Sequence, residues 1–287
     1  MLSNEKNLIH NTSTDLESVE LDLLLEGIYR YYGYDFRNYS LSSIQRRVWH
    51  RIQREKLESI TALLNNVLHD PLMMEKLYLD FSINITEMFR DPSFFKALRQ
   101  KVLPKLMYLP SIRIWHAGCS TGEEAYSMAI LLHELGILGK TRIYATDMNN
   151  HVLKQAKLGY FPLHKMKDYT SNYVHSDGRN DFSEYYTVRD NHAIFHQELS
   201  KNIVFAQHNL VTDGSFNEFH LIVCRNVLIY FNRELQARVH HLFLNSLSSN
   251  GFLALGNREG LSFPNNEQYY YPIDDEERIY RRMKGGQ

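Results

Sequence analysis

Cysteine is scarce in this sequence, which has only Cys119 and Cys224 among 287 residues. The two can form at most one disulfide, and their spacing is neither that of a zinc knuckle nor that of a CxxC redox pair. Long apolar runs are also missing, since Ser127–Leu132 is far too short to cross a bilayer and no apolar segment follows a basic start. We therefore expect a cytoplasmic protein without membrane insertion and without a metal.

An excess of charge of either sign is absent as well. Lysine and arginine total 32 against 33 for aspartate and glutamate, and the net charge is -1. This balance argues against a protein that coats nucleic acid by bulk charge, so no nucleic-acid partner is expected. The composition is 44% hydrophobic and 23% charged, which is typical of a folded protein, and the length suits a main domain with an appendage.

The character of the sequence changes near residue 112. Upstream we predict a polar tail over 1–15, a helical domain over 16–82, and a linker with a helix over 83–111, from the helical spacing of apolar residues. Downstream, short β-rich runs alternate with helical patterns, as in βαβ units on a parallel sheet. The predicted strands are Ile112–Trp115, Arg142–Ala145, Asn202–Ala206, Leu221–Cys224 and Gly251–Leu255. The sequence therefore predicts a doubly wound, Rossmann-like α/β domain over 112–287.

An interruption of the alternation at about 160–200 is long for a simple connection. Within it, Tyr185–Arg189 and His192–Phe195 are extended-looking runs on either side of Asp190-Asn191, which suggests a hairpin. We predict a small antiparallel β-subdomain inserted into the α/β domain.

The strongest site signal is the predicted strand-turn-helix over 113–124, in which Gly118 and Gly122 lie in the turn. Small residues such as Gly118 let the backbone approach a ligand. The spacing is not the GxGxxG fingerprint, and Glu123 and Glu124 at the helix start would repel a pyrophosphate. A cationic ligand with hydroxyl groups, such as an adenosyl sulfonium, fits this acidic loop better. The alternative is a plain strand-to-helix connection.

Polar residues follow three further predicted strands. Asp147 ends the second strand, where doubly wound nucleoside binders hold ribose hydroxyls, although it could instead cap the next helix. Asn226 follows Leu221–Cys224 and could contact an adenosyl or amino-acid group. Asn209 has a similar place after Asn202–Ala206, and an ordinary loop role is the alternative.

Three segments, Asn84–Asp91, Ala117–Ser127 and Cys224–Phe231, together resemble the signature segments of the CheR-type chemotaxis receptor methyltransferases. The resemblance covers about residues 15–284 in order. It implies a class I methyltransferase sheet and transfer of methyl from S-adenosyl-L-methionine to chemoreceptor glutamates, which yields methyl esters and S-adenosyl-L-homocysteine.

The resemblance also implies roles for single residues. The implied cofactor contacts are Asn84, Thr86, Arg90, Glu124, Asp147, Asn209, Leu210, Arg225 and Asn226. Arg90 and Tyr230 are then the catalytic residues, which would orient the incoming carboxylate by hydrogen bonds. The alternative for Arg90 is an ion pair with Asp91 or a local turn.

Docking of the receptor is the remaining expectation. Arg46, Arg47, Arg51 and Arg54 form a basic stripe on one predicted helix, which would hold glutamate-rich receptor helices, unless it is only a solvated face. In some relatives the inserted β-subdomain captures a receptor tethering peptide by strand addition. A different kind of function, also considered, is a non-catalytic signalling module that binds S-adenosylmethionine or its product.

Overall fold

The computed structural model describes residues 5–82, 85–261 and 268–283, with side chains from residue 16 onward. The chain folds into two compact units. The helical unit consists of the described residues up to 82 together with 230–235, and the α/β unit consists of the other described residues. Within the described ranges, no helix combines the length and the apolar character needed to cross a membrane.

In the described part of the helical unit there are four α-helices: α1 (Glu5–Tyr32), α2 (Leu41–Glu55), α3 (Ile60–His69) and α4 (Pro71–Phe81). Helix α1 begins at Glu5, within the segment that we expect to be a polar tail. Apolar side chains of α2 recur every four residues and are buried on one face, namely Ile44, Val48 and Ile52. Asp70 starts α4, because its side chain accepts the Leu72 N–H at 2.9 Å.

The arginines of α2 do not form one exposed stripe. Arg47 and Arg51 are buried, whereas Arg46 and Arg54 are exposed. Arg51 forms ion pairs with Asp80 at 2.7 Å and with Glu55 at 2.9 Å. The expectation that all four arginines are open to a receptor is therefore wrong for Arg47 and Arg51, because both lie on the half of α2 that packs inside the unit.

Arg47 is held inside the helical unit by two neighbours. Its Nη1 donates to the Ser43 carbonyl at 2.9 Å, and its guanidinium carbon lies 5.2 Å from the centroid of the Tyr230 ring. Burial lowers the pKa of Arg47. The cation and the aromatic face of Tyr230 attract each other, so this pair contributes to packing.

Among the residues that the structure describes, a sheet of seven strands forms the centre of the α/β unit. Its strands are β1 (Ile112–Ala117), β2 (Thr141–Asp147), β6 (Ile203–Gln207), β7 (Phe219–Cys224), β8 (Leu247–Leu255), β9 (Tyr270–Asp274) and β10 (Ile279–Arg282). Their order is β6-β2-β1-β7-β8-β10-β9, in which the pairs β8-β10 and β10-β9 are antiparallel and the other pairs are parallel. Apart from His116, the buried residues of β1 and β7 are apolar on both sheet faces, as parallel strands covered by helices require.

Helices and a second sheet complete this unit. The helices are α5 (Pro92–Ala97), α6 (Leu103–Leu106), α7 (Glu123–Glu134), α8 (Asn150–Leu158), α9 (Met166–His175), α10 (Gln197–Ser200) and α11 (Arg233–Ser246). The second sheet has the order β3-β5-β4 and is antiparallel, with β3 (Tyr160–Pro162), β4 (Tyr186–Arg189) and β5 (His192–Phe195). The predicted fold class, a doubly wound sheet with a helical N-terminal part and an inserted β-subdomain, is confirmed.

The strand order positions a crevice. Strand β1 lies between β2 and β7. The chain adds β2 and β6 on one side of β1 and then β7 and β8 on the other side, so the strand order reverses at β1. Ligands of doubly wound sheets bind at such a reversal of strand order, outside the carboxyl ends of the strands. The segments that follow Ala117, Asp147 and Cys224 therefore share one edge of the sheet.

We expect the buried ion pair of Arg51 to contribute measurably to the free energy of unfolding. Arg51→Ala leaves Asp80 without its cation, which should lower the free energy of unfolding by about 3 kcal/mol. Arg54→Ala, a change on the exposed side of the same helix, should alter it by less than about 0.5 kcal/mol. Urea denaturation of the full-length variants, followed by circular dichroism, measures both. Equal stability of the two variants would contradict the structural role of Arg51.

Candidate active site

Gly118 makes the turn by which the chain leaves β1. Its φ is +81°, a left-handed conformation that glycine adopts at little cost. The N–H groups of Gly118 and Cys119 both donate to the Thr146 carbonyl at 2.8 Å. A Cβ at Gly118 would overlap Cγ2 of Val227, in the loop after β7. The two loops at the reversal of strand order thus meet at a position where only glycine fits.

The two carboxylates at the start of α7 have different environments. Glu123 is buried and accepts a hydrogen bond from the Thr121 hydroxyl at 2.6 Å. Glu124 keeps part of its side chain exposed, and its carboxylate contacts His116 Nδ1 at 3.0 Å and Arg225 Nη1 at 3.1 Å. Burial opposes ionisation of Glu124, but the hydrogen bond with His116 and the charge of Arg225 outweigh it and lower its pKa.

Arg225 joins three segments of the site. Its side chain has 0% exposure, and its Nη2 donates to Asp91 at 2.5 Å. Its Nη1 donates to the carbonyl of Arg90 at 3.2 Å, in addition to Glu124, and its guanidinium carbon lies 3.9 Å from the ring centroid of Phe94. A guanidinium without exposed surface has no face to offer a ligand. The expectation that Arg225 itself contacts the cofactor is therefore corrected: it holds Glu124 and the Arg90 segment in place.

Arg90 lies between two residues of left-handed backbone, Phe89 with φ 51° and Asp91 with φ 55°. Such residues cost about 1–3 kcal/mol each and cluster at functional sites. Phe89 is fully buried, and its N–H donates to the Ser127 hydroxyl at 2.9 Å. The side chain of Arg90 is left half-buried, and its Nη1 donates to the Ile85 carbonyl at 3.3 Å.

The alternative ion pair of Arg90 with Asp91 is not formed. The Asp91 carboxylate is bonded to Arg225 instead. Among the residues that the structure describes, no ion pair holds the Arg90 guanidinium. Its charge is thus available to an anionic group that enters the site.

Asp147 ends β2 beside the Gly118 turn. Its two carboxylate oxygens accept the N–H groups of Ser120 and Asn149, each at 2.9 Å. Burial raises its pKa, although these backbone bonds act in the opposite direction. The cap of α8 is Asn149, whose side chain accepts the His151 N–H at 2.9 Å, so Asp147 does not act as the helix cap. Each oxygen keeps a lone pair for a further donor such as a ribose hydroxyl.

The loop after β6 lies next to Asp147, since His208 N–H donates to the Asp147 carbonyl at 3.1 Å. Asn209 uses its side-chain oxygen to accept the Val211 N–H at 3.0 Å, which stabilises the loop. Its side-chain nitrogen has no such local bond among the described residues. Leu210 is buried at 8% exposure.

Glu259 is a site residue that the sequence reasoning missed. It is 6% exposed and accepts backbone N–H groups from the loop after β7, including Asn226 at 3.0 Å and Val227 at 2.8 Å. A carboxylate between two glycines, Gly256 and Gly260, directly after a buried strand was the available signal. The partners lie more than thirty positions away, so no local pattern reveals the contact.

The other predicted site residues belong to different parts of the chain. Thr86 is half-buried in the α/β unit, and Asn84 lies outside the described residues. Tyr230 belongs to the helical unit, as do the four arginines of α2. Within the described ranges no three His, Cys, Asp or Glu side chains are placed to hold a metal ion, and Cys119 and Cys224 are free and buried.

The residues present suit an adenosyl sulfonium ligand. The Gly118 turn leaves no room for a side chain, Asp147 and Glu124 place negative charge at the crevice, and the Asn226 side-chain amide has no hydrogen-bond partner within the described residues. Carboxylates attract a sulfonium and accept hydroxyl hydrogens. The sheet and this site are those of an S-adenosylmethionine-dependent methyltransferase.

Comparison with known proteins identifies the family. Residues 84–278 match the family described as CheR methyltransferase, SAM binding domain, and residues 19–82 match CheR methyltransferase, all-alpha domain. The chain therefore belongs to the CheR methyltransferase family, as its three segments indicate.

Several curated relatives span nearly the whole chain. Cher3 of Pseudomonas putida is 48% identical over 271 residues, which cover 94% of this chain and 99% of that protein. Its name describes it as a methyltransferase by inference. The chemotaxis protein methyltransferase of Listeria innocua is 31% identical over 81% of this chain and 86% of its own length. That of Borreliella burgdorferi is 28% identical over 91% of this chain and 95% of its own.

The fit at Gly118 can be tested by adding one methyl group. Gly118→Ala places a Cβ against Val227 at a left-handed φ, so we expect a loss of about 2 kcal/mol or more in stability and weaker binding of S-adenosylhomocysteine. Gly139→Ala meets no atom within 4 Å and should change both by little. Thermal unfolding and calorimetric titration measure the pair, and normal binding by Gly118→Ala would refute the close contact of the two loops.

Proposed function

We propose that this protein transfers the methyl group of S-adenosylmethionine to side-chain carboxylates of chemoreceptor glutamates, giving glutamate methyl esters and S-adenosylhomocysteine. The observation that carries the proposal is the set of contacts made by Arg225. This one guanidinium binds the Glu124 carboxylate and the backbone of Arg90. A carboxylate for the cationic cofactor and a cation for the acidic substrate are thus held in one connected arrangement.

The proposed cofactor site uses the acidic side of this arrangement. Asp147 would accept the ribose hydroxyls, Glu124 would attract the cationic portion, and Asn226 and Asn209 would contact the remaining polar groups. When bound, S-adenosylmethionine supplies an electrophilic methyl group on a sulfonium. The Gly118 turn lets the backbone approach the ligand closely.

The proposed chemistry needs no general base. A glutamate side chain has a reference pKa of about 4.3, so the attacking oxygen is already ionised at neutral pH. We assign to Arg90 the orientation of this carboxylate by a charge-assisted hydrogen bond, and to Tyr230 a second hydrogen bond. Holding two reactants in line for displacement can supply about 7–11 kcal/mol of the barrier. A clamp that is too strong would weaken the nucleophile, so Arg90 positions more than it activates.

An oxygen nucleophile is supported by the segment after β7. It reads Arg225-Asn-Val-Leu-Ile-Tyr230 and has no proline, whereas methyltransferases of amino groups often carry an Asp/Asn-Pro-Pro-aromatic segment at this place, with carbonyl oxygens to accept the amino hydrogens. A carboxylate has no hydrogen to remove. A carboxylate oxygen is therefore a better match for the site than an amino nitrogen.

For receptor docking we propose the exposed arginines of α2, Arg46 and Arg54. Their charge is complementary to helical, glutamate-rich receptor segments and would speed association in a salt-dependent way. Capture of a tethering peptide by the three-stranded sheet stays a prediction. Its edge strand β4 exposes Thr187, Val188 and Arg189, and an exposed edge can accept an added strand.

The test of the function is the chemical lability of the product. We expect radiolabelled S-adenosylmethionine to label receptor fragments, and mild alkali to release the label as volatile methanol, because carboxyl methyl esters hydrolyse. Label that resists alkali would indicate an amine or nucleic-acid product. Cofactor binding without any transfer would support the non-catalytic module, which the combination of both family domains with Arg90 and Tyr230 does not favour.

The role of Arg90 has its own test. Arg90→Ala should lower kcat by about a hundredfold or more, since misplacing a reactant by about 1 Å can cost that much, and should weaken cofactor binding only partly. Arg142→Ala, which removes an exposed guanidinium elsewhere in the α/β unit, serves as the control. Steady-state kinetics and calorimetry on both variants separate the two effects, and a fully active Arg90→Ala enzyme would overturn the assignment.

A further inference from the structure

The loop after β7 turns a row of backbone N–H groups toward a single carboxylate. The acceptor is Glu259, and its Oε1 atom lies within hydrogen-bond distance of three consecutive nitrogens. These contacts are Val227 at 2.8 Å, Leu228 at 2.7 Å and Ile229 at 3.4 Å. The Oε2 atom accepts from Asn226 at 3.0 Å and from Gly256 at 2.6 Å. Five backbone donors thus converge on one buried side chain.

Such a row of N–H groups is an anion-binding concavity. Asn226 has φ 61°, and the left-handed conformation turns its N–H to the same side as those that follow. Left without an acceptor, each buried N–H would cost about 1–3 kcal/mol. Glu259 is therefore the internal acceptor on which this loop conformation depends.

The glycine at the end of β8 makes this contact possible. A Cβ on Gly256 would lie 2.7 Å from Glu259 Oε2 and 3.0 Å from the nitrogen of Asn226. On the other side of the turn, His240 Nε2 lies 3.0 Å from the Gly260 carbonyl. The turn over 256–260 is thus fixed at Gly256 by close packing and at Gly260 by His240, so the Glu259 carboxylate has a defined position.

The loop held by Glu259 borders the cofactor crevice. The side chain of Val227 contacts the Gly118 turn, and the Asn226 side chain is half-exposed with its amide unpaired within the described residues. We propose that Glu259 is a positioning residue for cofactor binding, which acts by fixing the backbone of residues 226–229 so that the Asn226 side chain and the Val227 contact are presented to S-adenosylmethionine. This inference rests on the proposed function only through the contact of Asn226 with the cofactor.

A purely structural role for Glu259 predicts different behaviour. A buried carboxylate that only stabilises the fold would lower stability when it is changed, without a selective effect on one ligand. The unit contains a matched case in Glu134, whose side chain has 0% exposure. Glu134 accepts hydrogen bonds from Arg99, Tyr173, Tyr185 and the Arg179 N–H. It lies at the end of α7, away from the glycine turn, and has no part in the proposed site.

The experiment compares Glu259→Gln with Glu134→Gln in the full-length chain. The amide of glutamine has one acceptor oxygen and turns a donor toward N–H groups, so the loop should relax. We expect the Kd for S-adenosylhomocysteine, measured by calorimetry, to rise about tenfold or more in Glu259→Gln and to change less than about threefold in Glu134→Gln. With receptor fragments, the KM for S-adenosylmethionine should rise by a similar factor, because the relaxed loop binds the cofactor more weakly.

Gly256→Ala provides an independent variant, should Glu259→Gln fold poorly. It leaves the carboxylate in place and pushes it away from Asn226, so it should also raise the Kd for S-adenosylhomocysteine. Because the two changes act on one contact, the double variant should show less than the sum of the two effects. Hydrogen exchange should show faster exchange of amides 226–229 in each variant, with helix α7 unchanged.

The outcomes separate this inference from the proposed function. Normal cofactor affinity in Glu259→Gln and Gly256→Ala, or an equal loss in Glu134→Gln, overturns the positioning role of Glu259. Failure of the wild-type chain to bind S-adenosylhomocysteine overturns the proposed function itself. Selective loss of cofactor affinity with accelerated exchange at 226–229 supports the inference.

Discussion

The buried guanidinium of Arg225 is the interaction on which the site of the α/β unit depends. A fully buried cation is tolerated only with good hydrogen bonds and opposite charge around it. Asp91, Glu124 and the Arg90 carbonyl supply these, from segments 134, 101 and 135 residues away. Removing one of the two carboxylates would leave the buried cation with a single opposite charge. The Arg90 segment, the helix start of α7 and the loop after β7 are therefore constrained to fold together.

Strained backbone accompanies this arrangement. Left-handed residues other than glycine flank Arg90 and occur in both loops at the reversal of strand order, at Ser120 and Asn226. A conformation of this kind persists only where its surroundings determine it fully. Here the surroundings are hydrogen-bonding side chains: Ser127 for the Arg90 segment, Asp147 for the Gly118 turn and Glu259 for the loop after β7. The α/β unit thus loses some stability to strained backbone, and this strain places a few loop residues at one edge of its sheet.

The charges of the site divide between two tasks. Carboxylates border the region proposed for a cationic cofactor, and the Arg90 guanidinium, without an ion pair in the described part of the chain, suits an acidic acceptor. Transfer to an ionised carboxylate requires approach and alignment more than proton transfer, which explains why no catalytic base is needed in the proposed reaction. In the helical unit the balance is different, since Arg47 and Arg51 serve packing and internal ion pairs.

The sequence by itself determined the fold class, because alternating β-rich and helical patterns report which faces of each element are apolar. It also predicted that Gly118, Glu124 and Asp147 lie at one edge of the sheet, since residues after parallel strands meet there whatever the details of packing. Tertiary structure alone decided the environment of each charge. Arg225 is a buried connector, Arg51 pairs with Asp80 from another helix, and Glu259 binds a loop that is distant in sequence. The physical reason is that periodicity describes one element at a time, whereas the burial of a charged group depends on partners brought together only by folding.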